Sequence, residues 1–350
     1  MKHGKTINEL ATEIDRQHRA KRDFILPVKN LRPFLHYAES DTSISRQVLN
    51  LAIRREGNEL FTGGLNTNGH LQLGEYLKIP KTYYDRMKAS PELLLENVKH
   101  WIGQSTDTRM VRTLDGNVRA FLSQKYRRLD NFDLASQVLP MLNEVNAQVE
   151  SCEVTDNKLY IKAITHKIQA EVKPGDVVSA GIIISNSETG HGSLSIKPLI
   201  FRLVCSNGAI ADDLAMKKYH AGKSQDWAEI EYSSETEAAE DTAYWLKVRD
   251  LVKHTLTEVT FDKMVERMRT GTKLVIAQPA EAIEMVVKRF GLGQNEKEGV
   301  LQHLIQGGEL TSYGMGNAIT RMAQDQPSYD RSTELESIGY MAMNQNWNQN

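Results

Sequence analysis

Residues 108–145 read TRMVRTLDGNVRAFLSQKYRRLDNFDLASQVLPMLNEV, and the order of patterns in this stretch decides the fold class. Two extended runs flank Asp115-Gly116, a dipeptide typical of the tight turn in a β-hairpin. A helix follows, capped by Asp130 or Asn131, and four more extended runs come after it. The order of hairpin, helix and strand meander predicts an α+β domain over residues 106–223. We expect an antiparallel sheet that the helix covers on one face.

Capping and turn signals divide the rest of the chain into further regions. Residues 1–105 are predicted to be mostly helical, and Thr6 with Glu9 forms a capping box ahead of the first helix. Residues 224–343 hold a run of capped helices with short connections, which predicts a bundle, and residues 344–350 form a polar, frayed tail. The predicted fold class is therefore α+β. It combines a short helical N-terminal region, a central antiparallel sheet with a packed helix, and a C-terminal helical bundle.

The composition excludes several classes of protein. Hydrophobic residues at 40% and charged residues at 25% are ordinary for a globular protein, so wholesale disorder is not expected. Two cysteines, Cys152 and Cys205, are too few for a disulfide scaffold or a four-cysteine zinc site, and they fit a reducing cytosol. The first residues lack the apolar core of a signal peptide, and no apolar run approaches about 18 residues. We therefore expect a cytoplasmic protein with no membrane partner.

Charge is distributed unevenly along the chain. Residues 1–130 carry 22 Lys and Arg against 15 Asp and Glu, whereas residues 131–350 carry 21 against 30. The acidic excess peaks between Asp226 and Asp262, with ten acidic residues against three basic ones. That stretch would repel a polyanion. The asymmetry indicates either an anionic partner for the first part of the chain or attraction between its two parts.

Basic residues cluster on the predicted hairpin and on a loop after the last strand. Lys and Arg neutralise phosphates, and aromatic rings among them can stack on unpaired bases. Strand alternation would place Arg119 and Phe121 on one face and Val118 and Ala120 on the other. The predicted nucleic-acid-binding residues are Arg109, Arg112, Arg119, Lys125, Tyr126, Arg127 and Arg128, with Lys217, Lys218 and Lys223 of the loop. The alternatives are a solvated sheet face, pairing with the acidic helices, and a plain linker for the loop.

Three other motifs have simpler structural explanations, which we favour. Residues 70–87, HLQLGEYLKIPKTYYDRM, have the rhythm of a helix-turn-helix but fit a packing hairpin of helices better. The glycine-rich residues 187–193 lack the spacing of a phosphate loop, and a turn whose glycines adopt positive φ is favoured over a polar site with Glu188 and His191. A nucleophilic Cys205 beside His191 or His220 is disfavoured, because a free cysteine is commonly a small buried hydrophobe. Histidine spacing predicts no metal site and no cofactor is expected.

Several strings resemble one family of phage- and plasmid-borne proteins, catalogued as domain of unknown function 932. They are LKIPKTYYDRM (77–87), NVKHWI (97–102), VRAFLSQKYRRLDNFDL (118–134), ISNSETGHGSLSIKPLIFRLVCSNGAI (184–210) and SYDRSTELESIGYM (328–341). The resemblance spans roughly residues 65–340 in order. It implies a mobile-element origin and residence in a bacterial cytoplasm, but it supplies no catalytic residues.

These observations favour a non-catalytic protein of DNA metabolism, encoded by a phage or plasmid, that binds single-stranded DNA and anneals or protects strands. The predicted hairpin, helix and meander are similar in fold to ring-forming single-strand annealing recombinases, an analogy that does not fix function and leaves homo-oligomers open. The main alternative is an effector that binds a host protein through its acidic helices and counters a defence or transcription component. A third alternative is an enzyme centred on His191, Glu188 and Cys205, and catalysis is the less favoured reading.

Overall fold

The computed structural model of the protein describes residues 1–38, 46–55, 58–126, 128–212, 216–217 and 234–348. Within these residues the chain forms eleven α-helices and two β-sheets, which confirms the predicted α+β class. The first helix, α1 (Ile7–Ala20), begins at the predicted capping box of Thr6 and Glu9. No helix in the described part of the chain combines the length and hydropathy that crossing a bilayer requires.

The first sheet has six strands. They are β1 (Arg22–Pro27), β2 (Leu31–Ala38), β3 (Arg46–Arg55), β4 (Asn58–Leu65), β5 (Thr108–Leu114) and β6 (Asn117–Ser123). Their order is β1-β5-β6-β4-β3-β2, and every neighbouring pair is antiparallel except β4 with β6. One face is covered by α2 (Thr67–Tyr76), α3 (Lys81–Met87) and α4 (Pro91–Gln104). Leu73, Tyr84 and Val98 of these helices share a buried core with Leu51 and Val111 of the strands.

This sheet corrects the sequence prediction in two respects. Residues 1–105 are predicted to be mostly helical, but they contain β1 to β4 as well as four helices. The β5–β6 hairpin is predicted to belong with the strand meander, but β1 pairs along β5 and β4 pairs with β6. In β3, Leu49, Leu51 and Ile53 recur at every second position and are buried against the helices, which is the strand pattern that the prediction overlooked.

The second sheet is the predicted antiparallel meander. Its strands are β7 (Gln148–Val154), β8 (Leu159–Glu171), β9 (Val177–Asn186), β10 (Ser195–Arg202), β11 (Asn207–Ile210) and the short β12 (Met216–Lys217). Their order is β11-β10-β9-β8-β7, with β12 beside β10, and every pair is antiparallel. Helix α5 (Asn131–Glu144) covers one face, where Leu134 and Val138 share a core with Ile161 and Ile182. The predicted packing of this helix is confirmed.

Helices from the C-terminal third complete the second sheet. Helix α6 (Ser234–Thr255) joins α5 on the first face through Val248 and Val252. The bundle consists of α7 (Glu258–Lys273), α8 (Pro279–Phe290), α9 (Gln294–Gly307), α10 (Ser312–Gln324) and α11 (Tyr329–Ala342). It packs on the opposite face, where Lys162 of β8 and Glu336 of α11 form a fully buried ion pair of 2.6 Å. The second sheet is therefore covered on both faces, which explains its nearly continuous apolar strands.

Candidate nucleic-acid interface

Two of the predicted phosphate-binding arginines are buried. The Arg112 side chain is fully buried, and it donates hydrogen bonds to Asp23 at 2.9 and 3.0 Å, to Asp130 at 2.6 Å and to the backbone carbonyl of Glu188 at 3.1 Å. Arg119 is 6% exposed and donates to the Glu188 carboxylate at 2.6 Å. Neither guanidinium faces solvent. The predicted exposed basic face is therefore wrong at these two positions.

These arginines belong to a cluster of balanced charges between the two sheets. Lys21 lies 2.7 Å from Asp130 and 3.6 Å from Glu188. Burial alone would raise the pKa of Asp130, but the charges of Arg112 and Lys21 outweigh it and lower that pKa to about 2. At Glu188, burial would likewise raise the pKa, but the charges of Arg119 and Lys21 outweigh it and lower that pKa. We call this group the junction cluster: Lys21, Asp23, Arg112, Arg119, Asp130 and Glu188.

A β-bulge explains why strand alternation misplaces Arg119. Thr113 of β5 is opposite Val118 of β6, whereas Arg112 is opposite Ala120, so Arg119 is the extra residue in β6. A bulge leaves one residue outside the ladder and redirects its side chain. Here it directs Arg119 toward Glu188, on the loop after β9.

The aromatic residues predicted to stack on bases are also packed within the protein. Phe121 is 5% exposed and belongs to the core of the first sheet. Tyr126 is half-buried against Leu122, and its hydroxyl donates to the backbone carbonyl of Ser187 at 2.9 Å. Burial raises the pKa of Tyr126 to about 12. Neither ring forms the expected stacking platform.

Three predicted basic residues do face solvent. Lys125 is exposed, the Arg128 side chain is 55% exposed and lies 3.8 Å from Asp23, and the Arg109 side chain is 30% exposed. Lys217 pairs through its backbone with Ser195 of β10. The remaining predictions, Arg127, Lys218 and Lys223, lie outside the described residues.

A cleft of about 1070 Å³ lies at the open end of the β5–β6 hairpin, beside α2, α3 and α4. The Arg109 guanidinium stands 4.5 Å from the ring centre of Tyr76, whose hydroxyl donates to Asp107 at 3.1 Å. Trp101 and Tyr83 line the same cleft and are 44% and 43% exposed. We call this site the aromatic cleft and define it by Tyr76, Tyr83, Trp101 and Arg109.

Sequence reasoning missed the cleft, although its aromatic residues lie in motifs that it considered. Residues 70–87 form the expected packing hairpin, in which Tyr84 is 3% exposed and its hydroxyl is 3.0 Å from His70 Nδ1. Tyr83, the next residue back along α3, faces the cleft instead. Trp101 follows an apolar helical run, a pattern typical of a packed residue, yet its side chain is 44% exposed. The adjacent aromatic residues at Tyr83-Tyr84 and His100-Trp101 are a local signal for the cleft in the sequence.

The glycine-rich loop, residues 187–193, contacts helix α2. Gly190 has φ +85° and Gly192 has φ +148°, which confirms that the turn uses its glycines for left-handed backbone. The amide of Gln72 donates to the carbonyl of Thr189 at 2.7 Å, and Gln72 also lines the aromatic cleft. The loop thus holds the second sheet against the helices of the first.

The contacts of the described residues do not bring Cys205 close to a histidine. His191 Nε2 lies 2.6 Å from Asn68 Oδ1, and Cys205 Sγ accepts a hydrogen bond of 3.2 Å from Arg202. No contact in the described part of the chain joins Cys205 to His191 or Glu188. His220, the other candidate base, lies outside the described residues.

Comparison with known families adds one result. The family model described as "Domain of unknown function (DUF932)" matches residues 121–341. The chain belongs to the DUF932 family. No curated protein and no solved structure matches this DUF932 protein. The DUF932 segment includes the second sheet, α5 and the bundle, whereas the four residues that define the aromatic cleft precede it.

Proposed function

We propose that this DUF932 protein binds single-stranded nucleic acid at the aromatic cleft. The observation that carries the proposal is the stack of Arg109 on Tyr76 in a cleft that also presents exposed Trp101 and Tyr83. Aromatic faces stack on unpaired bases with little sequence preference, and arginine adds cation–π and phosphate contacts. Paired bases are already stacked within a duplex, so the cleft favours single strands.

The cations around the cleft would allow a nucleic-acid strand to bind along one side of it. Arg109 and Lys78 line the cleft and Lys125 lies two positions beyond its lining residue Ser123, so all three would contact phosphates. Glu75 and Asp107 lie in the same cleft and oppose a polyanion, although Asp107 is 3.6 Å from Arg109. We therefore propose that bases lie on Trp101 and Tyr83 while the backbone follows the cations.

The biological setting extends the proposal. The strings that resemble phage- and plasmid-borne proteins support an origin in a mobile element and a place in the cytoplasm of a bacterial host. In that setting the protein would protect or anneal single-stranded DNA without catalysis, alone or as a homo-oligomer. A host protein bound by the acidic helices is the competing partner.

The test is fluorescence anisotropy with labelled single-stranded and double-stranded oligonucleotides at about 50 and about 200 mM salt. We expect preferential, salt-sensitive binding of the single strand. Trp101→Ala should weaken it about 5- to 150-fold, since stacking contributes about 1–3 kcal/mol per base. Tyr37→Ala is the matched control, because Tyr37 is a 61% exposed aromatic residue of β2 outside the cleft. Absence of binding at the lower salt concentration would overturn the proposal and favour the protein partner.

A further inference from the structure

A second cavity, of about 820 Å³, lies between the second sheet and the helical bundle. Its walls come from β8, β9 and β10, from the glycine-rich loop, and from α8 and α11. Its volume is in the range of small-molecule sites. All of its lining residues fall within the segment that matches the DUF932 model. We call it the polar cavity.

The carboxylates of the polar cavity already have partners. Asp330 accepts hydrogen bonds from Thr155 Oγ1 and from Asn157 Nδ2, each 3.0 Å long. The other two carboxylates are in ion pairs, Asp212 with Lys197 at 2.6 Å and Glu334 with Arg331 at 2.7 Å. The charges of Asp212 and Glu334 are therefore compensated, whereas Asp330 pairs with no cation among the described residues and keeps its negative charge on the cavity wall.

Two cations of the wall lack such partners. Lys158 and Arg289 line the cavity, and neither forms an ion pair with another described residue. The Arg289 guanidinium lies 5.8 Å from the ring centre of Phe290, which also lines the cavity. Together the two cations outweigh the single negative charge of Asp330, so the wall carries a net positive charge that suits an anion. A phosphate monoester carries about −1.5 to −2 at pH 7, whereas a carboxylate carries only −1.

His191 adds a hydrogen-bond acceptor whose direction is fixed. The Asn68 amide nitrogen donates to the carbonyl of Arg119 at 2.7 Å, so Asn68 Oδ1 must accept from His191 Nε2–H. Burial and the charge of Lys158 lower the pKa of His191, so its ring is neutral at pH 7. Nδ1 then carries a lone pair, and no described residue donates a hydrogen bond to it.

We propose that the polar cavity binds a small phosphorylated ligand. Its phosphate group contacts Lys158 and Arg289, and a hydroxyl or amino group of the same ligand donates to Nδ1 of His191. The ligand is a phosphate monoester of metabolite size, and the site is independent of the aromatic cleft. Sugar phosphates and nucleotides share this chemistry, and Phe290 favours a ligand with a ring.

Titration calorimetry on the full chain tests the proposal with inorganic phosphate, glycerol 3-phosphate and AMP, and with adenosine as the ligand without phosphate. We expect glycerol 3-phosphate or AMP to bind below about 1 mM and adenosine to bind more weakly. Tighter binding of AMP than of glycerol 3-phosphate would assign the site to nucleotides, and the reverse to sugar phosphates. If neither ester binds below that concentration, the proposal is overturned, even if inorganic phosphate binds.

Substitutions test whether the phosphorylated probe binds in the polar cavity or at any positively charged part of the surface. Lys158→Met and Arg289→Met should each weaken binding at least tenfold, whereas Lys158→Arg should retain it. Lys167→Met is the matched control, because Lys167 is an exposed lysine of β8 outside the cavity. Equal binding by Lys158→Met, Arg289→Met and the unmodified chain would exclude the polar cavity. Trp101→Ala should leave this binding unchanged, so failure of the nucleic-acid proposal would not affect the result.

Discussion

The β5–β6 hairpin carries basic residues in its middle and at its open end. The two groups are chemically similar, but those in the middle are buried and those at the open end are partly or fully exposed. In the middle, Arg112 and Arg119 are buried, each with a carboxylate oxygen 2.6 Å away. At the open end, Arg109 stacks on Tyr76 in a cleft and Lys125 is exposed. A basic residue in a strand therefore indicates a binding surface only where no carboxylate from another element neutralises it.

The junction cluster and the aromatic cleft therefore have different roles. The junction cluster draws its three cations and three carboxylates from separate parts of the chain, so it fixes the first sheet against the second. In the aromatic cleft, Trp101 and Tyr83 are exposed and Arg109 is partly exposed, so these side chains contribute little to folding but remain accessible to a ligand. Substitutions in the junction cluster should change stability, and substitutions at the cleft should change binding.

The largest expected effect is that of Arg112→Met. Removing this guanidinium leaves Asp23 and Asp130 without their main buried partner, and breaking such a pair costs about 3–5 kcal/mol. Urea unfolding followed by circular dichroism measures the change. Arg128→Met is the control: its side chain is 55% exposed and 3.8 Å from Asp23, so it should cost less than about 1 kcal/mol. Equal stability of the two variants would contradict the division between the regions.

The next effect is loss of stability in acid. The pKa of Asp130 in the folded protein is about 2, below its ordinary value of 3.8, so the folded state binds a proton less readily than the unfolded state. This stabilisation is present above about pH 4 and is lost as the pH falls toward 2; for Asp130 it amounts to roughly 2 kcal/mol. Urea unfolding at several pH values should show a shallower acid loss for Asp130→Asn. A slope identical to that of the unmodified chain would show that Asp130 is not ion-paired.

The features that depend on residues close together in the sequence were predicted from the sequence. The capping box at Thr6, the tight turn at Asp115-Gly116 and the positive φ of Gly190 are all confirmed. The second sheet was also predictable, because its strands pair with their neighbours in sequence. Such contacts require only short loops, and a pattern within one segment is enough to indicate them.

The rest depends on contacts that are distant in sequence. Arg119 and Glu188 are 69 positions apart, and the bulge that brings them together depends on the pairing of β5 with β6 in the context of both sheets. The aromatic cleft forms only when α2, α3 and α4 pack beside the hairpin. Helical periodicity cannot show that Trp101 is exposed, because Trp101 lies seven positions after the buried Leu94, a spacing that places both residues on the same face of α4.

A smaller effect, on binding rather than stability, is expected for Arg109. Arg109→Ala removes the guanidinium from Tyr76 and should weaken single-strand binding roughly tenfold, as a cation–π and phosphate contact of about 1–2 kcal/mol would. Arg109→Lys keeps the charge but loses the planar stack, so its affinity should be intermediate. Anisotropy measures both, and melting temperatures should remain close to that of the unmodified chain. A large fall in melting temperature would place Arg109 with the junction cluster instead.

The smallest effect is expected for Lys125, and it is the sharpest test of the boundary between the regions. Lys125 is exposed two positions beyond the cleft residue Ser123, so it can contribute one phosphate contact without any packing. Lys125→Ala should weaken binding two- to threefold at about 50 mM salt and reduce the slope of log K against log salt by about 0.7. Lys167→Ala, an exposed lysine of the second sheet, should change neither quantity. If both variants reduce the slope equally, the nucleic-acid strand binds positive charge over the whole surface. The contrast between buried and exposed basic residues would then explain stability but not binding.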